Sequence, residues 1–415
     1  MPPGKPYLCP GRNNPLKGQV AEVVVAGHIC LDIISSLPNA GGGLDQILVP
    51  GKLVNAGPVV LSTGGTVSNT GIALHRLGMS VLLMGKIGDD WFGQAVLELL
   101  RRQSPALAEG MIVVAGENTS YTIVINSPGI DRIFLHCTGA NDTFQASDVR
   151  WELLTGARLF HFGYPPLMKR MYAEGGTELA GMLHEVKRMG LTTSLDMARP
   201  DPASEAGRAD WIAILEKVLP ETDVFLPSIE EILYMLDRPF YERLVLAKGD
   251  IAEHLDGEYL RALADRMIGM GAAIVAVKLG EHGLYLRTAG ERRLQLMGAC
   301  APKHIGEWAG RELLATCYQV EVAGTTGAGD CTIAGFLAGL LKGLSPEAVM
   351  RAAVAVGACN VEREDAVSGI PSWETVQRRI EAGWPKRTNR LRLDGWRFHE
   401  NAELWIGPKD GKITV

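Results

Sequence analysis

Short apolar runs alternate with amphipathic segments along most of the chain. Val20–Gly27 is a β-branched run that ends in glycine, which is typical of a buried strand in a parallel sheet. Apolar residues at helical spacing follow in Val67–Leu77, and Ser80–Met84 is predicted as the next strand. From residue 151 onward, three predicted strands are each followed by a helical segment: Leu159–Phe162, Thr192–Leu195 and Val224–Leu226. Ala273–Val277 is predicted as another strand. This alternation predicts an α/β fold whose ligands bind at the loops that follow the parallel strands.

Two stretches interrupt the alternation. Gly41–Leu61 and Met111–Leu135 have the pattern of extended segments rather than helices. The second contains Ser120–Asn126 and Ile133–Leu135 on either side of a turn. We therefore predict a β-hairpin that projects from the main sheet.

The length and ends of the chain limit its domain organisation. At about 150 residues per domain, 415 residues suggest two to three domains, although a single α/β domain can be longer. The organisation that we expect is an irregular arm over 1–19, one large α/β domain over 20–383 and a C-terminal extension over 384–415. Residues 290–319 show little periodicity and are long for a connection. The sequence pattern therefore assigns neither this stretch nor the C-terminal extension to a position in the fold.

Composition and charge narrow the classes of function. With 47% hydrophobic residues the chain is too apolar for disorder, and a net charge of -6 disfavours a nucleic-acid partner. No apolar run is long enough for a membrane span, so we expect no membrane partner and a cytoplasmic protein. The 7 cysteines lack zinc-ligand spacing and are predicted to be reduced thiols.

The strongest candidate for chemistry is the glycine-rich segment Gly324–Asp330. The strand-like Tyr318–Val322 precedes it and the apolar helix Cys331–Leu341 follows. Backbone N–H groups at a helix N-terminus favour an anion, whereas the carboxylate of Asp330 would repel a resting phosphate. A general base beside a transferring phosphoryl group resolves that conflict. The alternative is a tight turn in which Asp330 only caps the helix.

A second glycine motif lies near the N-terminus, in Gly64–Gly78. Its diglycine, Gly64 and Gly65, allows the backbone to approach a ligand closely. Asn69 and the upstream Asp32 offer hydrogen-bonding groups suited to vicinal hydroxyls. The alternatives are a helix cap for Asn69 and a turn former for Asp32.

Together these segments resemble the ribokinase-like (PfkB) carbohydrate kinases, whose two signatures match Gly64–Gly78 and Gly324–Leu337. Further similar segments occur in family order over about residues 20–380: Gly85–Gly93, Gly139–Asn141, Asp223–Glu231, Val277–Gly283 and Ser368–Pro371. The resemblance implies a three-layer α/β/α sandwich with a mostly parallel central sheet. It also implies a small β lid, built from segments near 41–61 and 111–135.

The resemblance also assigns roles to individual residues. Asp330 would be the general base, and the anion hole would consist of Gly327, Ala328 and Gly329. Acceptor hydroxyls would be held by Asp32, Gly64, Gly65 and Asn69, with Arg132 as a lid contact. ATP would be contacted by Lys278, Gly280, Gly283, Thr325 and Asn360, and Glu231 would organise Mg²⁺.

Three residues depart from the family pattern. Gly324 replaces an Asp that helps bind a monovalent cation in several members, so activation by such a cation is not expected. Ser228 replaces the Asn that accompanies Glu231. Lys278 stands where many members have Thr or Ser; it would reach a phosphate as a point charge, or lie in solvent at a strand end.

The resemblance implies an ATP-dependent sugar kinase acting on a small-molecule substrate, and it allows a homodimer through the lid. A nucleoside kinase of the same fold and a non-catalytic ligand-binding relative are the alternatives. A nicotinamide oxidoreductase is disfavoured because no Gly-x-Gly-x-x-Gly follows the first strand. Weaker candidates are Asp196–Arg199, His161 and Tyr164, since aromatic side chains at that edge more often pack than bind.

Overall fold

The computed structural model describes residues 20–37, 49–126, 133–246 and 254–412. In chain order its strands are β1 (Val23–Gly27), β2 (Cys30–Ser36), β3 (Val59–Gly64), β4 (Val81–Met84), β5 (Lys86–Gly88), β6 (Ile112–Val114), β7 (Tyr121–Asn126), β8 (Ile133–Cys137), β9 (Leu159–Gly163), β10 (Thr192–Asp196), β11 (Val224–Phe225), β12 (Ile274–Lys278), β13 (Leu284–Thr288), β14 (Glu312–Ala315), β15 (Arg397–His399) and β16 (Leu404–Ile406). Its helices are α1 (Thr66–Arg76), α2 (Trp91–Gln103), α3 (Lys169–Tyr172), α4 (Thr177–Arg188), α5 (Glu205–Arg208), α6 (Trp211–Val218), α7 (Ile229–Leu236), α8 (Arg238–Leu246), α9 (Gly257–Gly269), α10 (Glu291–Leu294), α11 (Ile305–Trp308), α12 (Ala328–Leu341), α13 (Pro346–Val361) and α14 (Trp373–Glu381).

Within the described residues, the main sheet has 10 strands in the order β15-β16-β14-β13-β12-β11-β10-β9-β1-β4. Strands β4, β1, β9, β10, β11 and β12 run parallel, and the pairs from β12 to β15 are antiparallel. Along β1, Val23 and Val25 pack into one buried cluster with α1, α12 and α13. Val24 and Ala26 pack into the other with α4, α6 and α9. A sheet buried on both faces requires the continuous apolar strands of the sequence, and the predicted three-layer α/β/α class is confirmed.

In the described part of the chain, a second, 4-stranded sheet in the order β3-β2-β7-β8 forms the lid. The predicted hairpin is present as the antiparallel pair β7 and β8, whereas its turn at 127–132 lies outside the described residues. Of the other predicted lid segment, 41–48 is likewise outside them, and β3 begins at Val59. Apolar side chains of β3 and β8 are exposed, among them Val60 and Phe134. The homodimer through the lid stays a prediction.

The C-terminal segment adds β15 and β16 to the antiparallel edge of the main sheet, next to β14. Arg311 fixes this arrangement from a buried position, because its Nε lies 2.9 Å from Asp410 Oδ2. The stretch that the sequence could not place, 290–319, supplies α10, α11 and β14. The predicted domain boundaries stay a prediction.

The strand expected at Tyr318–Val322 is wrong. This segment makes one isolated bridge, from Tyr318 to Lys386, and otherwise runs as an irregular connection into α12. Its valines, Val320 and Val322, line a cavity instead of entering a sheet, and β14 already pairs with β13 and β16. No helix within the described ranges is both long and apolar enough to span a bilayer.

Candidate active site

The first turn of α12 presents the carboxylate of Asp330 at the carboxyl edge of the parallel strands. Gly327 precedes this helix with φ 74°, a conformation that glycine adopts without steric cost. A Cβ atom there would lie 2.7 Å from the carbonyl oxygen of Ala366. Glycine at 327 therefore allows the turn to close against the loop that follows α13, and Asp330 is held in a buried position just beyond it.

Three side chains donate hydrogen bonds to the Asp330 carboxylate. From α1, Asn69 Nδ2 lies 2.9 Å from Oδ2 and Thr70 Oγ1 lies 3.3 Å from Oδ1. The Tyr164 hydroxyl lies 2.9 Å from each oxygen. Burial raises the pKa of the Asp330 carboxyl, whereas these hydrogen bonds and the charge of Lys278 oppose the rise. The carboxylate is thus fixed in orientation but desolvated, as a general base requires.

Tyr164 is strained, since its φ of 65° lies in the left-handed region that few side chains adopt. Burial, followed by the charge of Asp330, raises the pKa of its hydroxyl well above the usual range. The phenol is therefore a fixed proton donor to Asp330. The sequence made Tyr164 a weaker candidate because it follows a buried strand at the ligand edge, but packing was the favoured interpretation there. The left-handed backbone, which the sequence does not show, is the further sign of a functional position.

Lys278 ends β12 and points toward the same helix turn. Its Nζ lies 2.6 Å from Asp196 Oδ1 at the end of β10, and a Cβ built on Gly329 would lie 3.8 Å from that nitrogen. Burial opposes the ammonium charge, but the carboxylates of Asp196 and Glu231 raise the pKa of Lys278 above its ordinary value. The solvent-exposed alternative is excluded, because only 12% of this side chain is accessible.

Glu231 lies in the first turn of α7 and is held by Ser228. The Ser228 amide donates to Glu231 Oε2 at 2.6 Å, and the Glu231 amide donates to Ser228 Oγ at 3.3 Å. This capping box shows how serine at 228 still fixes the acidic side chain. Burial raises the pKa of the Glu231 carboxyl, and the charge of Lys278 counteracts it.

A cavity of about 300 Å³ opens beside the first turn of α12. Of the residues predicted to contact a nucleotide, four line it: Lys278, Gly280, Gly283 and Thr325. The anion-hole residues Ala328 and Gly329 line it as well. Its remaining wall is largely apolar and includes Val320, Val322, Val354, Ala358 and Val361.

In the described part of the chain, the side chain of Asn360 does not line this cavity. Its side chain is fully buried, and its Nδ2 donates at 2.6 Å to the carbonyl oxygen of Ala366. Ala366 lies in the loop after α13, which packs against Gly327. Conversely, the sequence missed Arg387, which lines the cavity from the C-terminal segment and pairs with Glu281.

The second glycine motif lies across from α12, at the base of the lid. Gly64 ends β3 opposite β2, and the carboxylate of Asp32 occupies the space that a side chain at Gly64 would fill. Gly65, with φ 87°, allows α1 to begin directly against His28. The structure thus brings Asp32, Gly64, Gly65 and Asn69 to one side of Asp330. Arg132 lies outside the described residues.

Comparisons with known proteins show the family of the chain. A model of the pfkB family of carbohydrate kinases matches residues 20–373. A protein described as an uncharacterized sugar kinase from Archaeoglobus fulgidus is 28% identical over 303 residues, covering 72% of this chain and 98% of the relative. The 2-dehydro-3-deoxygluconokinase of Bacillus subtilis is 23% identical over 345 residues, covering 81% and 90%.

Among solved structures, the Arabidopsis thaliana ribokinase complexed with ribose and ATP matches with a TM-score of 0.65 at 18% identity, over 88% of this chain and 99% of that one. This likeness shows the fold. The family match spans both glycine motifs and the strands between them. The chain therefore belongs to the PfkB family of carbohydrate kinases and is a phosphotransferase with an alcohol group as acceptor.

Proposed function

We propose that the protein transfers the γ-phosphate of ATP to a hydroxyl of a sugar, with Asp330 as the general base. The observation that carries this proposal is the placement of one buried carboxylate, oriented by three donors, between the acceptor-side glycines and the cavity. A helix cap exposed to solvent would need neither the burial nor the three donors.

In this proposal Asp330 accepts the proton of the attacking hydroxyl. The backbone N–H groups of Gly327, Ala328 and Gly329 lie at the helix N-terminus, where they would stabilise negative charge on the phosphoryl group. The Ala328 N–H also donates to the Thr325 carbonyl oxygen at 3.3 Å, so it would be shared between that oxygen and the phosphoryl group. Lys278 adds a positive charge on the side of Gly329. Positioning and charge stabilisation of this kind supply most of the catalysis in phosphoryl transfer.

The cavity fits a nucleotide in shape and polarity. Its apolar wall suits a flat base, and its polar end lies at Lys278 and Gly329 next to the reacting carboxylate. Gly280 has φ 56° and Gly283 φ 108°, so their turn holds the backbone close to the cavity without side chains in the way. The structural neighbour that was solved with ATP supports the same ligand.

The charges around Lys278 fit a divalent cation. The carboxylates of Asp196, Glu231 and Asp330 all act electrostatically on Lys278, which is hydrogen-bonded to Asp196. Carboxylate oxygens are ligands that Mg²⁺ prefers, and the ion neutralises charge on the phosphate groups when bound. We assign Glu231 to its coordination sphere, together with the nucleotide.

A nucleoside kinase of the same fold is the alternative, since Asp32 and Asn69 would bind the ribose of a nucleoside as well as a free sugar. The non-catalytic alternative has no use for a base in an anion hole. The test is a coupled phosphorylation assay with Mg²⁺ and ATP over free sugars, keto-deoxy sugar acids and nucleosides. Turnover with at least one free sugar above nucleosides supports the proposal; turnover only with nucleosides, or none with any acceptor, overturns it.

Tyr164→Phe should shift the pH dependence of kcat/KM. The lost hydrogen bond stabilises the ionised form of Asp330, so its loss raises the pKa of that carboxyl further. A protonated Asp330 cannot accept a proton, and the acidic limb of the profile therefore moves to higher pH. A hydrogen bond to a charged group is worth about 1.5–3 kcal/mol, which predicts a loss of about tenfold or more on that limb.

At high pH the same variant should approach the wild-type rate, because Asp330 is ionised in both. Tyr172→Phe is the matched control: this tyrosine packs on Trp211 and makes no described contact with Asp330. Superimposable pH profiles for Tyr164→Phe and wild type would contradict the role given to Tyr164.

A further inference from the structure

Two histidines and a cysteine converge at the base of the lid, although the sequence spacing indicated no zinc site. His28 follows β1, Cys30 begins β2, and His136 lies on β8. The Nε2 atoms of the two histidines are 3.2 Å apart, and each residue offers a ligand atom within 4.8 Å of the other two. A chain separation of 108 residues between the histidines hid this cluster from the sequence pattern.

We propose that His28, Cys30 and His136 form a binding site for Zn²⁺ or a chemically similar borderline metal ion. Two nitrogens bound to one tetrahedral zinc at about 2.0–2.1 Å lie about 3.3–3.4 Å apart, close to the separation that the histidines already have. Imidazole and thiol groups select zinc over Mg²⁺, which prefers oxygen ligands. His136 is exposed on the lid and gives the ion a path to the two buried ligands.

Hydrogen bonds from neighbouring side chains orient these ligands, as hydrogen bonds to metal-bound histidines do in zinc proteins. The Oγ1 atom of Thr122, on β7, lies 3.0 Å from His136 Nδ1 and 3.5 Å from Cys30 Sγ. When the imidazole donates from Nδ1 to this hydroxyl, the lone pair of Nε2 faces His28 and is free for a metal. One side chain thus fixes two of the three ligands.

Asp32 lies beside these three residues but outside the group whose ligand atoms are all within 4.8 Å of one another, so its side chain would have to turn to bind the same ion. It follows Cys30 by two residues on β2, so both side chains lie on the same face, and the Cys30 thiol donates to Asp32 Oδ1 at 3.3 Å. A carboxylate oxygen is an ordinary fourth ligand of zinc. At 2.0–2.3 Å bond lengths the sulphur would stand about 3.6 Å from each nitrogen, which a small rotation of the Cys30 side chain allows.

The metal site overlaps the acceptor side of the active site. The ring of His28 lies 5.9 Å from that of Tyr164, which bonds Asp330, and Asp32 is one of the residues assigned to acceptor hydroxyls. Zinc and the acceptor would therefore exclude each other. This consequence rests on the proposed function, whereas the metal site itself does not.

The test is the direct binding of Zn²⁺ alone to the purified protein, measured by competition with a chromophoric chelator. We expect one ion per chain with an apparent Kd below about 1 µM. His136→Asn should weaken binding at least about 100-fold, and Thr122→Val about 10- to 100-fold. Cys137→Ser is the matched control, because it removes the neighbouring half-buried thiol on β8 and should leave the Kd unchanged.

Cobalt(II) provides a second readout that does not depend on activity. Thiolate coordination produces a sulphur-to-cobalt charge-transfer band, which Cys30→Ser should abolish and Cys137→Ser should retain. If Cys30→Ser fails to fold, His136→Asn still tests the site, since His136 is exposed. Weak binding of several ions per chain, or binding that His136→Asn does not alter, would overturn the proposal.

Kinetics then test the overlap. Zn²⁺ should inhibit phosphorylation competitively with the acceptor, and a zinc-selective chelator should restore the rate in the presence of Mg²⁺. Inhibition that the acceptor does not relieve would overturn the overlap. The outcomes remain distinguishable from a failure of the proposed function: a chain that phosphorylates no acceptor can still bind one zinc, and an active kinase can fail to bind any.

Discussion

Asp330→Asn should reduce kcat by about 10²- to 10⁴-fold, the range expected when a positioned general base is removed. Asparagine keeps the volume of the side chain but cannot accept the hydroxyl proton. The acceptor contacts on α1 and β2 remain, so the KM for the acceptor should change less than kcat does. Steady-state kinetics with the best acceptor of the panel measures both.

The fold should survive this substitution. Three donors lose a charged acceptor, which costs stability, while a buried carboxyl with a raised pKa is replaced by a neutral group. We expect the free energy of unfolding to change by less than about 2 kcal/mol. Glu364→Gln is the control, because it removes a negative charge from the exposed loop beside Gly324 and should leave kcat within about twofold. If Asp330→Asn keeps a tenth or more of the wild-type kcat, Asp330 is not the base.

The parallel half of the fold was predictable because its signals are local. Val23–Gly27 is apolar at every position, and a strand buried on both faces requires that. Glycine in the left-handed region at Gly65 and Gly327 is likewise required by the backbone itself. These features follow from single segments, whatever their partners.

The rest of the site depends on partners that the sequence does not connect. Tyr164 reaches Asp330 across 166 residues, and Lys278 reaches Asp196 across 82. Tertiary packing decides whether an aromatic residue at a strand end packs or binds a ligand. It also decides whether a lysine lies in solvent or in an ion pair. The expectation that Tyr318–Val322 forms a strand was wrong for the same reason, since its valines face a cavity that only the folded chain creates.

The C-terminal strands could not be predicted for a different reason, which is their length. β15 and β16 have 3 residues each, which is too short for a reliable period in the sequence. They are held by tertiary contacts, in particular the buried pair of Arg311 and Asp410. Arg387, which precedes these strands, reaches the proposed nucleotide cavity, so the extension contributes to the site as well as to the sheet.

Lys278→Met should reduce kcat/KM by about 10²- to 10³-fold, the loss expected for one preorganised group that stabilises transition-state charge. Methionine keeps most of the length of the side chain and removes the ammonium group beside Gly329. It also leaves the carboxylate of Asp196 buried without its cation. Breaking a buried ion pair in this way costs about 3–5 kcal/mol, so the variant should be less stable as well as less active.

The double variant Lys278→Met/Asp196→Asn separates the two effects. It removes the unpaired charge, so the free energy of unfolding should return toward the wild-type value, because the penalty belongs to the orphaned carboxylate. Its activity should stay low, because no positive charge faces the phosphoryl group. Asp196→Asn alone should lose less than about tenfold, since Lys278 remains. If the double variant regains both stability and activity, Lys278 only balances Asp196, and the charge that stabilises the transferring phosphoryl group must come from the helix turn and the metal ion.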